Sequence, residues 1–188
     1  MHREAEFVYN IIKDRGYTSG AEIGVCRADF SEALLEVWGG ALYAIDVWNR
    51  QDISDYPDTI CNVNEDVHIQ NYEITKSKLA KFGNRAVIMK YLSKDASTHF
   101  DDNSLDFVYI DANHSYEAVY SDMNIWHKKI KSGGLLCGDN YCNLSLDSLD
   151  YVLFEVEKAV NDFANDKGLH VNHTDDANER NRNWWIEL

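Results

Sequence analysis

The chain has 188 residues, of which 45% are hydrophobic and 12% aromatic, and its formal net charge is -14. This length favours one domain over residues 1–188, and the apolar content is sufficient for a core, which excludes a disordered chain. Because the acidic excess repels phosphate backbones and anionic lipids, neither a nucleic-acid partner nor a membrane partner is expected.

The amino-terminal stretch and the cysteines indicate the compartment. The first ten residues, MHREAEFVYN, mix both charge signs and contain no apolar run typical of a signal peptide. No segment approaches the roughly 20 apolar residues of a membrane span. The four cysteines form no CxxC pair and are interpreted as reduced thiols. A cytoplasmic protein is predicted.

Hydrophobic spacing predicts helices and strands in alternation. In chain order, the prediction is a helix ending at Gly16, a strand at 21–25, a helix over 30–38, a strand at 41–48, a helix ending at Phe82, strands at 86–92 and 105–111, a helix over 119–130, a strand at 134–139, a helix over 146–166, and strands at 169–173 and 183–188.

This alternation predicts an α/β fold with a Rossmann-like, doubly wound and mostly parallel sheet. Only a polar loop joins the last two strands, so they are expected to form an antiparallel pair at the end of the sheet. The antiparallel ending and the absence of GxGxxG argue against a nicotinamide-dependent oxidoreductase.

Ligands of open parallel sheets bind beyond the carboxyl ends of the strands. The first strand runs through Glu22 to Gly24, a residue that allows close backbone approach to a ligand, although an ordinary strand-to-helix turn is an equal alternative. The second strand ends at Asp46, which is placed to accept hydrogen bonds from ribose hydroxyls or to cap a helix. Trp48 follows as a pocket wall or as packing. Ser93 follows the third strand and either caps the next helix or lies beside an adenine.

The fourth and fifth strands end in polar residues. FVYIDANHSYEAV (107–119) supplies Asp111 and His114, and CGDNY supplies Asp139 and Asn140. Two carboxylates and one carboxamide form an all-oxygen set that suits a hard cation such as Mg²⁺, with helix capping as the alternative. His114, beside this set, is a candidate general base.

The run from GAEIGVCRADFS through ALYAIDVW and VIMKYLSKDAS to LDFVYIDANHSYEAVYSDMNIWHKKIKSGGLLCGDNY resembles the class I S-adenosylmethionine-dependent methyltransferases. It is most similar to the branch of metal-dependent small-molecule O-methyltransferases that act on sugars or catechols. The similarity covers about residues 20 to 141, and the final helix and strand pair match the ending of that fold.

The resemblance implies a role for each candidate residue. S-adenosylmethionine would be bound by Glu22, Gly24, Val25, Ser31, Asp46, Ser93 and Asp111. Mg²⁺ or Mn²⁺ would be held by Asp111, Asp139 and Asn140, His114 would be the catalytic base, and Trp48 and Tyr141 would contact the substrate.

The resemblance further implies O-methylation of a small-molecule or glycan hydroxyl by in-line displacement. The histidine at position 114 favours a sugar with vicinal oxygens. A catechol or phenolic acid, lined by Trp48, Tyr56 and Tyr141, and a non-catalytic interaction domain are the alternatives. A domain of a larger glycan-modifying protein and a homo-oligomer both stay open.

Overall fold

The structure is a computed structural model that describes residues 2–52, 54, 61–145 and 153–188. The strands are β1 (Ser19–Ile23), β2 (Ala41–Asp46), β3 (Ala86–Lys90), β4 (Leu105–Ile110), β5 (Ile130–Gly138), β6 (Asn143–Ser145), β7 (Leu153–Glu155), β8 (Asn172–His173) and β9 (Trp184–Glu187). The helices are α1 (Arg3–Ile12), α2 (Asp29–Val37), α3 (Glu65–Leu79), α4 (Ser93–Ser97), α5 (Tyr116–Trp126) and α6 (Val156–Lys167).

The main sheet has the strand order β3-β2-β1-β4-β5-β9-β8. Strands β1 to β5 pair in parallel, whereas β9 is antiparallel to β5 and β8 is antiparallel to β9. This arrangement confirms the predicted α/β fold and its antiparallel ending. The strand order reverses between β1 and β4, which is where ligands of such sheets bind.

Helices cover both faces of the sheet. One hydrophobic cluster joins α1 and α2 to inward residues of β2, β4 and β5, and a second joins α4, α5 and α6 to the opposite face, which includes Ala21 and Ile23 of β1. Strand β4 is buried at every position because it lies between both layers. This position explains the apolar run over residues 107–110 in its sequence. Within the described part of the chain, no helix has the length and apolarity needed to cross a membrane.

One element prediction is wrong. A helix was expected over 146–166, but Leu153–Glu155 form strand β7 and α6 begins only at Val156. Residues 146–152 of that prediction lie outside the described residues. Strand β7 pairs with β6, with Leu144 opposite Phe154, so strand pairing overrides the helical spacing of the sequence.

Candidate active site

Asp46, at the end of β2, holds the loop that follows β1. Its Oδ2 accepts hydrogen bonds from the backbone N–H groups of Val25 and Cys26, both at 2.9 Å, and its Oδ1 accepts one from the N–H of Trp48 at 2.8 Å. Because a carboxylate offers about four lone-pair positions, Oδ1 keeps one for a further donor. Ribose binding by Asp46 stays a prediction, with this oxygen as its acceptor.

Gly24 is required by the neighbouring strand. It has φ +89°, and a Cβ built there would lie 1.9 Å from the carbonyl oxygen of Asp111. The predicted close approach at this glycine is therefore made by the backbone at the end of β4. The same approach brings the loop after β1 directly beside Asp111.

Glu22 and Ser31 form a buried pair between β1 and α2. The Ser31 hydroxyl donates a hydrogen bond to the Glu22 carboxyl group, and both side chains are buried. Burial raises the pKa of Glu22 well above its usual range, and the charges of Asp111 and Asp46 raise it further. Glu22 in β1 and Ser31 in α2 therefore join the two elements that flank the loop after β1.

Ser93 takes part in a network that the sequence does not reveal. Its hydroxyl donates to Asp122 Oδ1 at 2.5 Å and accepts from Trp126 Nε1 at 2.8 Å. Ser93 is the first residue of α4, whose N-cap is Leu92, and its hydroxyl bonds within the described part of the chain are these two. Burial raises the pKa of Asp122 to about 6. The only sequence signal for Asp122 is an acidic residue next to the apolar stripe of α5.

The carboxyl ends of β4 and β5 bring three predicted site residues together. One ligand atom from each of Asp111, His114 and Asp139 lies within 4.8 Å of the others. His114 Nε2 is 3.6 Å from Asp111 Oδ1. Burial raises the pKa of Asp139 well above its usual range, and the charge of Asp111 raises it further. Two carboxyl groups placed in this way compete for ionisation until a cation offsets their charge.

Asn140 has a fixed side chain beside this cluster. Its backbone has φ +50°, in the left-handed region that asparagine tolerates, and its Nδ2 donates to the carbonyl of Arg180 at 2.6 Å. The amide nitrogen is thereby engaged, and the amide oxygen is the atom suited to a cation. Two carboxylates and one amide oxygen fit Mg²⁺ or Mn²⁺ by charge and by donor type.

Phe154 stands next to His114, and Arg180 stands next to Phe154; sequence reasoning did not find either. The Phe154 ring stacks on the imidazole with centroids 4.5 Å apart, and the guanidinium carbon of Arg180 is 5.1 Å from the Phe154 centroid. The backbone N–H of Glu155 donates to the carbonyl of His114 at 3.0 Å, which ties β7 to the site. The sequence carried no signal for this contact because β7 was predicted to be helical.

The two predicted substrate contacts occupy packed positions. Trp48 is fully buried, and its Nε1 donates to the carbonyl of Cys26 at 2.8 Å. Tyr141 is buried, stacks on His173 at 5.1 Å, and donates its hydroxyl hydrogen to Asn161 at 2.9 Å. Direct substrate contact by either residue stays a prediction. Tyr56 lies outside the described residues.

Comparison with known proteins gives the class. The methyltransferase domain family matches residues 19–141. The chain therefore belongs to this family, and with the strand order described above it is a class I S-adenosylmethionine-dependent methyltransferase, as the sequence predicted. Comparison with curated protein sequences gives no match.

Solved structures with the same fold include several O-methyltransferases. A proposed caffeoyl-CoA O-methyltransferase from Staphylococcus aureus has a TM-score of 0.70 and 14% identity, over 100% of this chain and 84% of that one. An O-methyltransferase from Bacillus cereus in complex with SAH has a TM-score of 0.68 and 14% identity, over 100% of this chain and 82% of that one. TomG from Streptomyces achromogenes is an O-methyltransferase involved in tomaymycin synthesis, in complex with SAM. It has a TM-score of 0.66 and 15% identity, over 100% of this chain and 80% of that one. At these identities the likeness shows the fold.

Proposed function

We propose that this chain is an S-adenosylmethionine- and divalent-metal-dependent O-methyltransferase for a small-molecule or glycan hydroxyl, with a sugar carrying vicinal oxygens as the favoured acceptor. The observation that carries the proposal is the cluster of Asp111, His114 and Asp139 within 4.8 Å at the strand switch point. Beside the cofactor loop, this cluster offers both cation ligands and a base.

In this proposal, the cation is held by Asp111, Asp139 and Asn140, and the cofactor by Glu22, Gly24, Val25, Ser31, Asp46, Ser93 and Asp111. A bound divalent cation supplies charge that lowers the pKa of an acceptor hydroxyl. S-adenosylmethionine supplies a methyl group on a sulfonium centre, and the protein contributes orientation.

His114 accepts the proton that the hydroxyl loses. Its side chain is 11% exposed and both ring nitrogens are buried, so an acceptor hydroxyl reaches them only after the side chains that cover the ring move. The carboxylate of Asp111, 3.6 Å from Nε2, stabilises the positive charge that the imidazole gains. Stacking on Phe154 fixes the plane of the ring, and a fixed base favours one direction of attack.

A catechol or phenolic acceptor is the second candidate. The aromatic side chain beside the predicted base is Phe154, and a flat apolar ring favours an aromatic acceptor.

We also propose that residues 1–188 form one domain. This is supported by the ends of the chain, because α1 packs on α2 and β9 pairs with β5.

The first test is calorimetric titration of S-adenosylhomocysteine into metal-stripped protein, with and without Mg²⁺. Micromolar binding is expected. Methyl transfer is then measured for sugars and for catechols, with and without a chelator. Activity lost on chelation and restored by Mg²⁺ supports the metal role, whereas chelator-insensitive activity contradicts it.

Two matched pairs of variants test the residues. His114→Ala is expected to lower kcat about 100-fold or more, and Asp139→Asn to abolish the Mg²⁺ dependence. The controls are His170→Ala and Asp14→Asn, which replace exposed residues of the same types. Equal activity in His114→Ala and His170→Ala would remove His114 as the base.

A further inference from the structure

Arg180 is a cation near the predicted site that has no acidic partner in the described part of the chain. Among the residues that the structure describes, its guanidinium makes no ion pair, and its only side-chain contact of a polar or aromatic kind is the Phe154 ring. The neighbouring Arg182, in contrast, pairs with Glu179 at 3.3 Å, and Arg3 pairs with Glu4. In a chain of net charge -14, an uncompensated arginine at this position calls for an explanation.

The backbone of Arg180 is fixed against the site. Its carbonyl accepts from Asn140 Nδ2 at 2.6 Å, and the carbonyl of Arg182 accepts from the N–H of Tyr141 at 2.9 Å. The segment that carries Arg180 is therefore bonded to the two residues that directly follow Asp139. A cation held in this way has its position set by the main chain and keeps its side chain available.

The side chain of Arg180 reaches toward the predicted base through Phe154. The guanidinium carbon is 5.1 Å from the Phe154 centroid, and the imidazole centroid of His114 is 4.5 Å from that same centroid. The distance from the guanidinium carbon to the imidazole centroid is therefore at most the sum of these two distances. A small acceptor whose hydroxyl meets His114 can place a second group against Arg180.

We infer that the acceptor carries a carboxylate and that Arg180 binds it at the entrance of the acidic cluster. This inference rests on the proposed function and narrows its substrate to hydroxy acids with neighbouring hydroxyl oxygens, such as uronic acids or dihydroxybenzoates. Arginine suits this role because its planar fork matches a carboxylate with two parallel hydrogen bonds and is always charged.

The overall negative charge does not oppose this assignment. Exposed charges farther away than about 10 Å are screened at ordinary ionic strength, so the local cation decides the binding of a small anion. A bound divalent cation would balance Asp111 and Asp139, and the positive charge of Arg180 would then be available to a substrate anion. Its contact with Phe154 does not use the hydrogen-bond donors of the guanidinium.

The test measures binding with matched acceptors that differ in the acid group. Glucuronate is compared with glucose, and 3,4-dihydroxybenzoate with 3,4-dihydroxybenzyl alcohol, by calorimetric titration into protein saturated with S-adenosylhomocysteine and Mg²⁺. In at least one pair, the acid is expected to bind about tenfold more tightly than its neutral partner, or better. The Arg180→Gln variant is expected to lose this preference, and Arg180→Lys to keep part of it.

The control variant is Arg182→Gln, which removes a guanidinium two residues away that is already paired with Glu179. It is expected to keep the preference for the acid. Three results overturn the inference: no tighter binding of either acid, an acid preference unchanged in Arg180→Gln because the carboxylate binds the cation instead, or an equal loss for acid and neutral partner. The last result would mean that Arg180 only positions Phe154.

Failure of this inference is distinguishable from failure of the proposed function. If S-adenosylhomocysteine binds and neutral acceptors are methylated at the same rate as acids, the methyltransferase proposal stands and the role of Arg180 is refuted. If S-adenosylhomocysteine does not bind, the proposed function fails first.

Discussion

At the scale of single residues, Asp111 and Asp139 place two carboxyl groups at one strand edge. Burial and the charge of Asp111 both raise the pKa of Asp139. Without a cation, and at a pH between the unfolded and the folded pKa of Asp139, the folded protein therefore keeps a proton on Asp139 that the unfolded chain has already lost. Stability from this group is present below the unfolded pKa and falls as the pH rises through the folded pKa.

A cation must displace this proton, so the affinity for Mg²⁺ is expected to rise as the pH rises toward the folded pKa of Asp139, with protons released on binding. Asp139→Asn is expected to raise the melting temperature of the metal-free protein and to remove its further increase with Mg²⁺. Calorimetry in buffers of different ionisation enthalpy measures the protons. Affinity that is independent of pH would contradict the shared proton.

Tyr109 gives a second prediction at this scale. Its hydroxyl is buried without a hydrogen-bond partner in the described part of the chain, and its ring stacks on Phe30 at 4.2 Å. Tyr109→Phe keeps the stack and removes the unpaired group, so the free energy of unfolding should rise by about 1 kcal/mol. Urea unfolding measures it. Tyr116→Phe, which loses a bond to Asp162, is the control and should show no gain.

At the scale of elements, α4 and α5 are joined by the buried bond between Ser93 and Asp122. The pKa of Asp122 is raised from 3.8 to about 6, because burial disfavours its charged form. The proton is therefore held more tightly in the folded state. This contribution is fully present below about pH 4 and is lost as the pH rises to about 6.

Asp122→Asn removes this titration and keeps an acceptor for the Ser93 hydroxyl. The variant is expected to gain stability relative to the natural chain between pH 4.5 and pH 7, by up to about 3 kcal/mol. Urea unfolding at both pH values gives the free energy of unfolding of each protein. The difference between the variant and the natural chain at each pH removes the contribution of the other carboxyl groups, because both proteins share them. A gap between the two proteins that does not change with pH would refute the assignment.

The β6–β7 pair is the element that covers the predicted base. Phe154→Ala would expose one face of the His114 imidazole and free its orientation, so kcat should fall about 10- to 100-fold with little change in S-adenosylhomocysteine affinity. Leu144→Ala, in the same small cluster but without a ring contact to His114, is the matched control. Equal losses in both variants would indicate a general role of the β6–β7 strand pair.

At the scale of the whole molecule, the charge of -14 acts against the compact state through self-repulsion. Raising NaCl from 0.05 to 0.5 M should therefore raise the melting temperature by a few degrees, because added salt screens that repulsion. Differential scanning calorimetry measures the shift. MgCl₂ at equal ionic strength should stabilise the protein more than NaCl, and Asp139→Asn should remove this excess and keep the NaCl effect.

The sequence determined the α/β class and the antiparallel ending, because strand and helix periodicity are local properties. It also predicted that Asp46, Asp111 and Asp139 lie at the same edge of the sheet, where the structure brings Asp111 and Asp139 together with His114. The carboxyl ends of parallel strands share an edge, so residues that follow different strands become neighbours whatever their separation along the chain.

Only the tertiary structure decided what surrounds these residues. It gave Asp46 three backbone N–H partners, joined Ser93 to Asp122, stacked Phe154 on His114 and placed Arg180 against Phe154. Each of these contacts joins segments far apart in the chain through loops or a short strand pair. Such contacts have no periodicity, and in β7 the pairing with β6 overrode a local helical pattern, so the sequence alone could not reveal them.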